Sequence, residues 1–130
     1  MCWRLAPLVV ASFFLATGAH AASSSASGAD CGGPDLTQAD MNACAWQAFL
    51  QADRELNALY GQLAKQEHAA SAKQLQAAQR AWLQFRDLEC VYETPDVGGS
   101  LAPLETAGCK AELTKERILD LKRSLRQQVR

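Results

Sequence analysis

From Thr37 onward the chain repeats apolar residues every three or four positions, the spacing that lines one side of an α-helix. Met41, Ala45, Ala48, Ala52, Leu56, Leu59 and Leu63 form the first such line, and Phe49 and Tyr60 broaden it. Thr37 with Asp40 resembles a capping box, with Asp in place of the usual Glu or Gln. A first helix is therefore predicted from about Gln38 to His68. Ser71 with Gln74 marks a second start by the same rule. Leu75, Ala78, Trp82, Phe85 and Tyr92 are the predicted apolar line of this second helix, with Trp82 and Phe85 expected in the core. It should stop before Thr94-Pro95, because a residue preceding proline disfavours helical dihedrals. Gly98-Gly99-Ser100 reads as a turn. Pro103 fits the first turn of a third helix, whose line runs Leu104, Ala107, Ala111, Thr114, Ile118, Leu121, Leu125 to near Gln128. No segment alternates as a strand would. The expected fold is all-α: an antiparallel three-helix bundle, or a helical hairpin with a third helix packed on it.

The residues before Thr37 carry other information. Arg4 precedes an apolar run from Leu5 to Ala16, too short to span a bilayer, and Ala19-His20-Ala21 has the small-x-small form of a cleavage site. Residues 1–21 are expected to be a signal peptide, leaving no membrane anchor after cleavage. Cys31 follows Asp30 in a polar Ser/Gly stretch, far beyond the apolar run, so it does not resemble a lipid-attachment cysteine. Residues 22–36 are rich in Ala, Ser and Gly and bury too little to offset their ordering entropy, which predicts a flexible leader. Residues 37–130 then form one small helical domain, marginal in size without cross-links.

Removal of Cys2 with the signal leaves Cys31, Cys44, Cys90 and Cys109, an even number suited to an oxidising periplasmic or secreted location. In an up-down-up bundle the start of helix one, the end of helix two and the start of helix three share one pole. All four cysteines sit near those ends, so the bundle is expected to be disulfide-stapled at that pole. All three pairings are geometrically open; Cys31–Cys44 with Cys90–Cys109 closes the shortest loops. The intervals contain no C-x-x-C knuckle, which argues against zinc or a thioredoxin-like centre, and no cofactor is expected.

Charge is polarised rather than large. Residues 22–109 hold five basic and eleven acidic side chains, and residues 110–130 hold seven basic and three acidic. An acidic front favours encounter with a basic protein, and nucleic acid is a poor match for a nearly neutral exported chain. His68 is the one histidine beyond the signal, and no nucleophile–base arrangement can be built around it. Glu112 and Glu116 are interleaved with Lys115 and Arg117, as on a salt-bridged solvated face. No enzyme activity is expected.

Several stretches resemble the LprI-like lysozyme inhibitor family. They are Thr37 to Cys44, then Ala52-Asp53-Arg54-Glu55-Leu56-Asn57 with Tyr60. The most specific block is Gln79-Arg80-Ala81-Trp82-Leu83-Gln84-Phe85-Arg86-Asp87 with Cys90. Gly98-Gly99-Ser100, Cys109 and Thr114 with Arg117 complete the set. The resemblance implies an exported helical domain and, for the family's named member, inhibition of lysozyme; the expected function is a binding protein whose partner is a protein, a lysozyme, blocked by steric occlusion. The alternative is an envelope scaffold or stress-related interaction module without lysozyme activity. Within the motif, Gln79, Arg80, Trp82, Arg86, Asp87 and Arg117 divide between core packing, a charge network that sets helix register, and ligand contact. Glu89 falls almost on the apolar line and needs a partner, for which Arg86, Arg54 and Arg117 are candidates. Two further sets are candidate partner contacts. Trp46 and Leu50 lie at the edge of the first apolar line, either exposed or covered by the leader. Glu93, Asp96, Gly98, Gly99 and Ser100 belong to a loop projecting from the cross-linked pole.

Overall fold

In the computed structural model the described residues are 30–94 and 98–128; the expected signal peptide, most of the leader and Asp96 lie outside them. Three helices follow in order: α1 (Gln38–Gln66), α2 (Ala69–Glu93) and α3 (Ala102–Gln128), the last preceded by a single 3-10 turn over Gly99–Leu101. Among the described residues there is no strand. The architecture is an all-α up-down-up bundle.

Local chemistry accounts for the helix ends. The Thr37 side chain accepts from the Asp40 backbone N–H at 3.2 Å, and the Asp40 carboxylate accepts from the Thr37 backbone N–H at 3.0 Å, a complete capping box. The hydrogen bonds from the Thr37 side chain and backbone hold the Asp40 carboxyl below its usual range. The second helix departs from expectation. It starts at Ala69 with His68 as N-cap and no side-chain capping bond, so Ser71 and Gln74 lie inside the helix rather than at its start. The short break at Glu67–His68 turns the chain before Ser71 is reached. Gly99 has φ of 62°, a conformation that disfavours any side chain, and it launches the turn into α3. Pro103 follows in the first turn of α3, where its missing N–H is harmless.

The tightest pair is α1 with α3, which run in the same direction; α2 runs against both and touches them far less. Direction is fixed by bonds spaced along the pair: Asn42 Nδ2 to Ser100 O at 3.0 Å, Lys122 Nζ to Glu55 at 2.7 Å, and Gln128 to Glu67 at the far end. Ala52, Ala107, Ala111 and Thr114 are buried, and small side chains such as these let packed helix backbones approach closely. Leu56, Leu63, Ile118 and Leu121 form the apolar core with Ala52, packed by Leu59, Tyr60, Leu75, Trp82 and Leu125. Burying each large aliphatic residue contributes about 1.5–3 kcal/mol.

Both disulfides form at one pole, Cys31–Cys44 with Cα atoms 5.7 Å apart and Cys90–Cys109 with Cα atoms 5.6 Å apart. The first pins the end of the leader to α1. The second joins α2 to α3, and its Cys90 is fully buried.

The two bridges should therefore contribute unequally. Cys90→Ser with Cys109→Ser is expected to destabilise the protein by about 2–5 kcal/mol in denaturant titrations. Cys31→Ser with Cys44→Ser should have a smaller effect, because it frees only an exposed segment. Equal losses from the two double variants would contradict this assignment.

Candidate functional site

The motif that carries the family resemblance lies where α2 meets the α1–α3 pair. Its inward face is Leu75, Gln79, Trp82, Arg86 and Cys90, residues that recur at three- and four-residue steps and so share the side of α2 that Cys90 turns toward α3. Three of the five are polar or sulfur-bearing, so α2 docks through specific bonds more than through apolar area.

Arg86 is at the centre, 6% exposed. Its Nη1 donates to Asp53 Oδ1 on α1 at 3.0 Å and to Thr114 Oγ1 on α3 at 3.3 Å, while its Nε donates to Asp87 Oδ1 at 3.1 Å. One side chain thus ties all three helices. Asp53 is steadied by Asn57 Nδ2 at 3.0 Å, and Lys110 reaches Asp87 at 3.2 Å. The guanidinium also lies 5.0 Å from the centre of the Phe49 ring and 5.5 Å from that of Trp82. Lys110 stands 5.9 Å from the Phe49 ring centre and Arg117 5.8 Å from that of Trp82. The result is an alternating file of cation and aromatic: Lys110, Phe49, Arg86, Trp82, Arg117. Each contact of this kind contributes about 0.5–2 kcal/mol, more where water is excluded. Arg117 Nε donates to Gln79 Oε1 at 3.2 Å, and the buried Gln79 Nε2 has no partner among the described residues.

Burial alone would raise the Asp87 carboxyl, but hydrogen bonds from Lys110 and Arg86, with their positive charges, outweigh it and hold the carboxyl below its usual value. Arg86 is thereby committed to Asp53 and Asp87, Arg117 to Gln79 and Asp120, and Arg54 is exposed without an ion pair among the described residues, so none of the three candidates pairs with Glu89. Arg80 is the motif residue outside the network: it is exposed.

The apolar line expected for α2 is overturned in part. Trp82 packs against the core, but Phe85 is 49% exposed and Tyr92 is 76% exposed, with Ala78 also outside. Helical spacing of apolar residues, which defines that line, does not by itself distinguish an inward face from an outward one. The face is instead chosen by the Cys90–Cys109 bond and the Arg86 hydrogen bonds, which turn Phe85 and Tyr92 away. Leu88 and Val91, missed by that reading, are exposed beside them. Counting back in helical turns from Cys90 gives this face only once the Cys90–Cys109 bond is known. On α1, Ala48 is likewise exposed.

Trp46 and Leu50 are exposed, and the segment from Asp30 to Leu36 does not cover them. Trp46 is 49% exposed, with its ring centre 5.1 Å from that of the buried Phe49, and sits two residues beyond Cys44. Asn42, one turn before Trp46, holds the Ser100 carbonyl, so the loop exit and the Trp46 edge share the stapled pole. Gly98, Gly99 and Ser100 are exposed there. Glu93 is exposed too, but its Oε2 lies 3.5 Å from Cys109 Sγ, on the α2–α3 seam rather than beside Trp46. Lys115 and Glu112 pair at 2.7 Å on the solvated face of α3. No described helix is long and apolar enough to cross a membrane. Among the described residues no group of three or more His, Cys, Asp or Glu side chains is placed to hold a metal ion.

A small helical body with two disulfides at one pole and its motif residues locked in an interhelix network is the class that this geometry defines. The sequence matches the family described as lysozyme inhibitor LprI over residues 30–121. It is also 37% identical over 101 residues to an uncharacterised protein of Rhizobium meliloti (strain 1021), a match covering 67% of this chain and 73% of the relative. No solved structure matches the chain. The chain belongs to the LprI lysozyme inhibitor family, a family of inhibitors rather than catalysts.

Two outcomes are expected from the network. Arg86→Ala strands the Asp53 carboxylate and the fully buried Thr114 hydroxyl and should destabilise by about 3 kcal/mol in denaturant titrations. Asp53→Asn should cost less, since Arg86 retains Asp87; the reverse order would contradict the geometry. A carboxyl held below its unfolded pKa stabilises the fold above that value, about pH 4, and the contribution is lost as pH falls through the lower folded value. The acid limb of stability against pH should accordingly be shallower in Asp87→Asn than in the native protein. Superimposable limbs would remove Asp87 from this role.

Proposed function

We propose that the protein is exported and binds a lysozyme, blocking access to the enzyme's cleft by steric occlusion. Residues 1–21 act as the signal peptide, residues 22–36 as a leader, and residues 37–130 as the binding domain outside the cytoplasm. Family membership supports the partner class. The observation that carries the choice of surface is the exposed Trp46–Leu50 edge on the stapled pole. An aromatic anchor on a helix already fixed by a covalent bond loses little conformational freedom on binding, and such anchors dominate protein interfaces. Gly98, Gly99 and Ser100 flank this edge, where little side-chain bulk keeps a partner's backbone away. The negative charges of Glu93 and Asp96 speed encounter with a basic enzyme more than they tighten the complex.

The oxidised exported chain should slow lysis of cell-wall substrate in proportion to its dose. Trp46→Ala should weaken inhibition about tenfold or more, while Glu93→Lys with Asp96→Lys should slow association, most visibly at low salt. Absence of inhibition at large molar excess over several lysozyme types would eliminate this reading. Capture of an envelope protein by the same chain would then favour the scaffold alternative.

A further inference from the structure

Glu89 is a half-buried carboxylate without an ion pair or a hydrogen bond among the described residues. Arg86, three residues before it, has its charge spent on Asp53 and Asp87. Phe85 precedes Glu89 by four residues and Tyr92 follows it by three, so the three side chains line up on one flank of α2. Both rings are open to solvent. A carboxylate partly withdrawn from water between two open aromatic rings is costly to leave unpaired and favours a cation that reaches it.

Bonds to the neighbouring helices place this flank. Cys90 and Asp87 bond to α3 through Cys109 and Lys110, so Phe85, Glu89 and Tyr92, on the other side of α2, are turned from α3 toward α1. On α1, Glu55 bonds to Lys122 of α3 and Asp53 bonds to Arg86 of α2. Trp46 and Leu50 share the flank of Asp53, seven and three residues before it. Both flanks therefore border one groove between α1 and α2, on the side away from α3. The Asp53–Arg86 bond sets their level: the two helices are antiparallel, and Leu50 and Glu89 each lie three residues from that bond toward the stapled pole. Of the three helix pairs, α1 and α2 pack the least closely, which keeps the groove open.

The chemistry of the groove selects an occupant. Its walls, Trp46 and Leu50 on one side and Phe85 and Tyr92 on the other, suit an aliphatic stem and the face of a planar cation, and Glu89 supplies the counter-charge. The protein seats its own Arg86 in the same way, against Phe49 and Trp82 with Asp53 as acceptor. We propose that this groove receives an arginine side chain of a protein partner, with the Glu89 carboxylate accepting from its guanidinium. The partner's identity rests on the lysozyme reading; what that partner presents rests on the groove.

The oxidised exported chain can be titrated, under nuclear magnetic resonance, with a short peptide holding one arginine between two leucines. This peptide should shift the Trp46 indole signal and the Phe85 and Tyr92 ring signals. The same peptide with citrulline, which keeps the shape and loses the charge, should bind about fivefold more weakly or worse. Glu89→Gln should abolish this preference with helicity by circular dichroism unchanged, since Glu89 makes no bond among the described residues. Equal binding of the two peptides, no binding of either in the millimolar range, or a preference that survives Glu89→Gln overturns the proposal. An arginine preference in a chain that inhibits no lysozyme keeps this groove and removes the lysozyme reading; inhibition without the preference does the reverse.

Discussion

One buried guanidinium holds this bundle in register. Arg86 is the point at which α1, α2 and α3 meet, through Asp53, its own neighbour Asp87, and Thr114. A charge so placed is tolerable only because its donors are met and because two aromatic faces replace part of its lost hydration. The dependence runs both ways. Phe49 and Trp82 each stand within 6 Å of two cations, so the file from Lys110 to Arg117 is unbroken.

This arrangement explains an imbalance in the packing. The α1–α3 pair is a conventional apolar seam with small residues at the close approach and leucine and isoleucine beyond it. Helix α2 contributes little to that core. It is secured by a fully buried half-cystine at one end and by directional hydrogen bonds in the middle. Directional bonds specify rotation about the helix axis in a way that apolar area does not. The rotation they impose puts Phe85, Leu88 and Tyr92 on the outside. The most specific block of the family motif is therefore mainly a docking device for α2. The large exposed apolar residues lie elsewhere: Trp46 and Leu50 beside one disulfide, and Phe85, Leu88 and Tyr92 on the outside of α2.

Much of the architecture was legible in the chain. The capping box at Thr37 and Asp40, the apolar spacing of α1 and α3, and the break at Gly98-Gly99-Ser100 are consequences of near-neighbour geometry, and each appears where the pattern put it. The shortest-loop pairing of cysteines also matches, because a shared pole brings each half-cystine to its nearest partner. Ser71 with Gln74 misled because its spacing is necessary for a capping box but not sufficient; the chain had already turned at His68. The seating of Arg86 was not legible, since three of its contacts, Phe49, Asp53 and Thr114, come from other helices.

By itself, then, the sequence determined three helices, their ends to within a few residues, the pole at which sulfur pairs with sulfur, and the family to which they belong. Those features depend on bonds and spacings within one segment or on cysteine positions near helix ends. Tertiary structure alone decided which side of α2 faces inward, which carboxylates Arg86 serves, and which aromatics reach solvent. A helix has no preferred rotation about its own axis until its neighbours supply bonds that distinguish one face from another. Here those bonds are polar and covalent, and a reading by apolar periodicity has no means of counting them.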